Sequence, residues 1–328
     1  MSADVAGRRR LWRVAGWVLS AATIVAVGLL LRGRFDDVRA ADVVPPAWAM
    51  VVAVLVNVVG NGILVSAWQR IVRLVGPRLD WVTAAAIWAP SQLARFTLAV
   101  AQVGARAALA ARHGVTLTSG AVTTLVEIGW TAAINPLLIL ATWTAWSGPA
   151  SSLSWVPVVA VIPAGVLVLG VIDPVRLLQL VAWGLRLPGL RRFGARHATR
   201  VDEIEIDRGA ALRLTGLYVL NNGLRLLAFL VILGAAGGRD AVGAAAVGAF
   251  ALGQFVGRLA LFAPGGIGPR EGATALVLAP LVGSGPALGV VAFTRLAELA
   301  GEILFLGIAV VSDRRRPTDT RHPEHIDA

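Results

Sequence analysis

The feature that most constrains this chain is a series of apolar runs approaching or exceeding the roughly 20 residues a helix needs to cross a bilayer. Val14 to Leu31, Trp48 to Ala67 and Phe293 to Val311 are examples. With 57% hydrophobic residues, 15% charged residues and a mean hydropathy of +0.74, the composition lies far from that of ordinary soluble domains. The expected fold class is an all-α polytopic membrane protein. Arg8, Arg9, Arg10 and Arg13 precede the first run, as in a signal peptide. The run is long for that role, however, and Leu31-Arg-Gly-Arg offers no small-residue cleavage site, so a retained first helix is expected.

The net charge of +11 does not indicate nucleic acid, because the arginines gather at both tails and in two connecting loops. That is the distribution of positive charge held on the cytoplasmic side, so both termini are expected in the cytoplasm and the crossings even in number. No cysteine occurs, which excludes disulfides and thiolate chemistry, and the four histidines are scattered without a metal-ligand spacing. Neither cofactor nor metal is expected.

The chain then divides into a basic cytoplasmic tail (1–13), one transmembrane domain (14–312) and a disordered cytoplasmic tail (313–328). About six full crossings are expected, over 14–31, 48–67, 118–146, 155–172, 211–236 and 287–311. Arg70, Arg73 and Arg78 follow the second on the inner side. Two apolar stretches resist this scheme. Residues 81–112 contain Pro90, Arg95, Gly104 and Arg106; residues 241–282 contain Pro264 and three clustered glycines. Each begins and ends on one side, so each is expected to be a re-entrant hairpin, a shape tolerated where protein or a wet cavity shields it. The cytoplasmic loop 173–210 is basic, and Arg176, Gln179, Trp183 and Arg186 fall on one helical face, predicting a membrane-surface helix over 175–187.

The two hairpins echo each other. Gln92 aligns with Gln254, Arg95 with Arg258, Gly104 with Gly268 and Arg106 with Arg270; the next helices carry Thr-Thr-Leu-Val-Glu127 and Thr-Arg295-Leu-Ala-Glu298. Helix, hairpin, helix occurring twice in opposite orientation would be an inverted repeat, whose site lies where broken helices meet.

Arg95, Arg106, Glu127, Arg258, Arg270, Glu271, Arg295, Glu298 and Glu302 lie in or beside apolar segments. Each costs about 2.5 to 3.5 kcal/mol on insertion scales. They could pair and fix helix packing, or some arginines could line a polar cavity and hold an anionic group. Arginines outnumber glutamates, so pairing leaves a positive surplus. Arg95, Arg106, Arg258 and Arg270 are the candidate ligands of a lipid phosphate. Glu127, Arg295, Glu298 and Glu302 are candidates for charge balance or gating, and Arg295, Glu298 and Glu302 can pair along their own helix. In the stretch Leu-Phe-Ala-Pro264-Gly265-Gly266-Ile-Gly268-Pro-Arg270-Glu271, Pro264 ends one half-helix, the glycines permit a tight turn with bare amides, and Pro269 opens the next half-helix. Free backbone N–H groups beside Arg270 would suit a phosphate. Glu271 could neutralise Arg270 or leave it free.

At this motif the chain resembles the flippase-like transmembrane family, which includes the membrane half of lysylphosphatidylglycerol synthase. That family shows Pro-Gly-Gly-x-Gly-x-Arg-Glu, complete here as Pro264, Gly265, Gly266, Gly268, Arg270 and Glu271. An earlier basic-aromatic-x-Pro-Gly stretch keeps its Arg95-Phe96 but has Leu98-Ala99 in place of Pro-Gly. The resemblance spans roughly residues 11 to 312. It implies a bacterial inner-membrane protein, a stand-alone membrane part without an aminoacyl-transferring domain, that binds and flips an anionic or polyprenyl-phosphate-linked lipid. Membrane lipids are the expected partners. The alternative is a non-transporting scaffold for a glycosyltransferase or lipid-modifying enzyme, with loop 173–210 as its contact surface. An enzyme is not expected, since no nucleophile–base pair or metal constellation occurs.

Overall fold

The computed structural model describes residues 44–96, 99–146, 155–176, 179, 207–260 and 263–315. The expected first helix (14–31), most of the expected surface helix (175–187) and both expected tails, apart from the start of the second, lie outside the described residues.

The described residues form helices and connecting turns, with no strand among them. We number the α-helices α1 (Ala47–Val75), α2 (Trp81–Leu93), α3 (Ala99–Ala111), α4 (Leu117–Trp146), α5 (Val156–Ile172), α6 (Arg208–Ala235), α7 (Ala244–Leu259), α8 (Pro269–Val282) and α9 (Ser284–Arg314). Local chemistry sets several boundaries. Asp80 caps α2 by accepting from the Val82 and Thr83 amides at 2.9 and 3.0 Å, and Asp207 caps α6 by accepting from the Ala210 amide at 2.6 Å. Gly283, at φ +88°, separates α8 from α9.

The second helix does not stop at residue 67, as expected, but continues to Val75. Its last turns are amphipathic: Trp68, Ile71 and Val72 are buried while Arg70 and Arg73 face outward. Long arginine stems can thus stay on the helix and reach water. The last helix likewise runs past 311 to Arg314, taking in the first two residues of the expected tail.

Three helices, α1, α4 and α6, are long and apolar enough to cross a membrane. Helices α5 and α7 are apolar but shorter. Helix α9 has 31 residues yet carries Arg295, Glu298 and Glu302 through its middle. Apolar side chains face out: Val51, Leu55 and Val59 on α1 are 56%, 52% and 57% exposed, and Val158 and Ile162 on α5 reach 70% and 71%. Polar ones, such as Asn57, Asn61, Gln92, Asn221 and Asn222, are buried. This inside-out distribution suggests a membrane-embedded protein.

The packing repeats itself. Helix α1 lies along α6; α2 packs on α9 as α7 packs on α4; α3 packs on α4 as α8 packs on α9. Exchanging the block α1–α4 with the block α6–α9 therefore preserves the main contacts. Small residues allow the close crossings. A Cβ on Gly60 of α1 would sit 2.9 Å from Asn221 Oδ1 of α6, and one on Gly301 of α9 would sit 2.7 Å from Asn57 Cβ of α1. At the centre, the turn 94–96 after α2 touches the turn 264–266 before α8.

Candidate functional site: an arginine cluster where two broken helices meet

The glycine motif builds the second of these turns. Gly265, Gly266 and Gly268 have φ of +60°, +73° and +95°, the left-handed region that glycine enters without strain. Space is as restrictive as angle: a Cβ on Gly266 would lie 2.6 Å from the Gly257 carbonyl oxygen, and one on Gly265 would lie 2.6 Å from the Phe96 ring of the facing turn. Helix α8 starts at Pro269, and the Gly268 amide donates to Glu271 Oε2 at 2.7 Å. Glu271 is thus occupied as the helix cap.

Arg270 turns away from its neighbour. Its two terminal nitrogens donate to both oxygens of Glu298 at 2.6 and 2.5 Å, a bidentate fork. The open choice about Glu271 resolves in a third way: a distant carboxylate neutralises Arg270. Glu298 is only 2% exposed and also accepts from Arg295 Nη1 at 3.2 Å. Arg295 donates through Nη2 to the Gly265 carbonyl at 3.0 Å and has Nε 3.8 Å from Glu271 Oε1. Its guanidinium carbon lies 5.4 Å from the Phe96 ring centroid, and that of Arg95 lies 5.0 Å from it. Arg95 pairs with Glu302 and donates to Gln92 Oε1 at 3.1 Å. Arg295, Glu298 and Glu302 therefore clasp both turns, beyond the local pairing within α9 that their spacing allows.

Arg106 belongs elsewhere. It is fully buried, donates to Glu127 Oε2 at 2.5 Å and to Ser91 Oγ at 2.9 Å, and lies 5.5 and 5.3 Å from the Trp68 and Trp88 rings. Trp88 Nε1 donates to both Glu127 oxygens at 3.2 Å. This is a neutral box of one cation and one carboxylate, although Arg106 Nη2 is left without a hydrogen-bond partner. The sequence alignment of Arg106 with Arg270 and Glu127 with Glu298 corresponds to two equivalent ion pairs, each joining a half-helix to the long helix after it.

Arg258 is the cation left over. Its Nη1 is buried without a hydrogen-bond partner, and three of its charged neighbours are also arginines, Arg225, Arg270 and Arg95. Arg225, in the middle of α6, is 8% exposed and likewise makes no ion pair within 4 Å among the described residues. The sequence reading passed over Arg225; the signal was an arginine one helical turn after the pair Asn221-Asn222 inside an apolar helix. Gln254 Nε2 and Asn221 Oδ1 are also buried without partners. Beside Arg270 a cavity of about 10 Å³, lined by Gln254, Glu271, Thr274 and Arg295 among others, has room for little more than one water. No group of acidic or histidine side chains that could hold a metal occurs among the described residues.

The arrangement leaves Arg225 and Arg258 without an ion pair within 4 Å among the described residues of a membrane-embedded helical protein. No family model, no curated protein and no solved structure matches the chain.

Proposed function

We propose that this chain binds the phosphate of an anionic lipid at the arginine cluster and carries it across the membrane, as its resemblance to flippase-like proteins implies. The observation that carries the reading is the pair Arg225, a buried residue, and Arg258, half-buried with a buried Nη1, neither of which makes an ion pair within 4 Å among the described residues. Leaving such charges uncompensated costs several kcal/mol each, so a resident counter-ion is the economical explanation. In this reading α2–α3 and α7–α8 are re-entrant hairpins entering from opposite faces, the two blocks form an inverted repeat, and about six helices cross an inner membrane with both termini inside.

Four arginines were candidates for the phosphate. Arg258 keeps that role and Arg225 joins it. Arg95 and Arg270 form the rim, released from Glu302 and Glu298 when the turns part. Arg106, expected among the phosphate ligands, takes a packing role with Glu127 instead. In this reading the present arrangement is the closed one, which the arginine–glutamate pairs clasping the two turns support. Opening exchanges those glutamates for the lipid phosphate, and Arg295 is the clasp.

Proteoliposomes with a fluorescent anionic lipid in one leaflet test this. Wild type should move the lipid, and Arg258→Gln should slow it at least about tenfold, the value of one charge-assisted contact. Equal rates in the two proteins would overturn the proposal.

A further inference from the structure

The surplus charge can be counted and located. With the Arg106–Glu127 box set aside as neutral, the central cluster of described residues holds Arg95, Arg225, Arg258, Arg270 and Arg295 against Glu271, Glu298 and Glu302. All three glutamates are engaged by Arg95, Arg270 and Arg295. An excess of two positive charges remains, on Arg225 and Arg258: Arg225 is among the charged surroundings of Arg258 on the adjacent helix, and Arg225 itself lies within the field of Glu298 and Glu302, which Arg270 and Arg95 already engage.

The two repeated blocks show where this excess comes from. Asn61-Gly62-Ile63-Leu64 of α1 corresponds to Asn222-Gly223-Leu224-Arg225 of α6, so Arg225 stands where the first block has Leu64. Glu127 corresponds to Glu298, and four residues on, Thr131 corresponds to Glu302. Glu302 neutralises Arg95 across the exchange. The equivalent partner for Arg258, on the face where α7 packs against α4, would be residue 131. Thr131 brings no charge there, and its hydroxyl donates to the Glu127 carbonyl of its own helix at 2.9 Å. Two departures from the repeat therefore each add one positive charge at the same place.

We infer that the Arg225–Arg258 pair is built for a doubly charged phosphate, the phosphomonoester or terminal phosphate of a lipid, in preference to a singly charged phosphodiester. The inference rests on the anionic-lipid reading above and narrows it. A dianion neutralises both guanidinium groups, whereas a monoanion leaves one buried and unpaired. A monoester also offers three terminal oxygens, enough for a fork from each arginine. Its second proton leaves near pH 6, so it carries close to two charges at neutral pH.

The test compares dodecyl phosphate with its methyl ester, two probes with one tail and a difference of one charge, as ligands of the detergent-purified full chain. At about pH 8 the monoester should bind at least roughly tenfold more tightly, and the preference should fall toward parity near pH 5 as the monoester takes up its proton. Arg225→Leu, which restores the residue of the first block, should reduce the preference at about pH 8 to within roughly threefold while the methyl ester still binds, showing an intact fold. Equal binding of the two probes by wild type overturns the dianion inference and leaves the anionic-lipid reading standing. Binding of neither overturns both. A preference unchanged in Arg225→Leu overturns the assignment to this pair. Inorganic phosphate bound as tightly as dodecyl phosphate supports the dianion inference and overturns its lipid part.

Discussion

Arg258 and Arg106 have the same chemistry and opposite circumstances. Arg106 is enclosed by Glu127, Ser91, Trp68 and Trp88, so Arg106→Leu leaves a buried carboxylate with only an indole donor. Thermal unfolding in detergent should show a loss of about 3 to 5 kcal/mol. Arg258 has nothing to lose of this kind, and Arg258→Gln removes a repulsion from Arg225. In protein stripped of bound lipid it should change stability by less than about 1 kcal/mol or raise it, while weakening anion binding. Similar losses for both variants would mean that Arg258 is a packing residue. The sequence shows that arginines exceed acids and which residues they are. It does not show which arginine is left without a partner, because pairs such as Arg95–Glu302 and Arg270–Glu298 join segments 207 and 28 residues apart. Arg225 was missed because a lone arginine in an apolar helix gains meaning only from the cluster around it.

The half-helices owe their shape to glycine and proline. Periodicity and apolar length located most elements to within a few residues, and Pro264 to Gly268 marked the turn before α8. The misjudged end of α1 has a physical cause: arginine stops an apolar count without stopping a helix when its stem can reach water. Two substitutions probe the turn and the crossing. In Gly266→Ala the new methyl meets the Gly257 carbonyl at 2.6 Å in a left-handed backbone, and in Gly253→Val it meets Thr274 Oγ1 at 1.8 Å. Both should reduce the yield of monodisperse protein and lower its melting temperature, Gly253→Val by separating α7 from α8. Gly272→Ala, with open space at its Cβ, should behave as wild type in the same assays. Three equal results would remove the close crossing as a determinant of the fold.

The described residues form an inside-out bundle in which exchange of two four-helix blocks preserves the main packing contacts, while the charge at the centre breaks that equivalence. Membrane character was legible from composition alone, and the internal echo was legible in four aligned residues of the hairpins. The differences Leu64/Arg225 and Thr131/Glu302 can be read in the sequence, but their meaning comes from the packing of the blocks and the Arg95–Glu302 pair. If the blocks are inverted in the bilayer, single cysteines at Gly114 and Gly283 should label with an impermeant maleimide from opposite faces of sealed vesicles; the native chain has no cysteine to interfere. Labelling from one face would rule out the inverted arrangement. The central claim, that Arg225 and Arg258 hold an anion as a resident counter-ion, is tested most directly by the lipid that accompanies the purified protein. Native mass spectrometry should find an anionic lipid on wild type, lost from the Arg225→Leu, Arg258→Gln double variant at matched folding. Equal retention of the same lipid by both proteins would contradict the account.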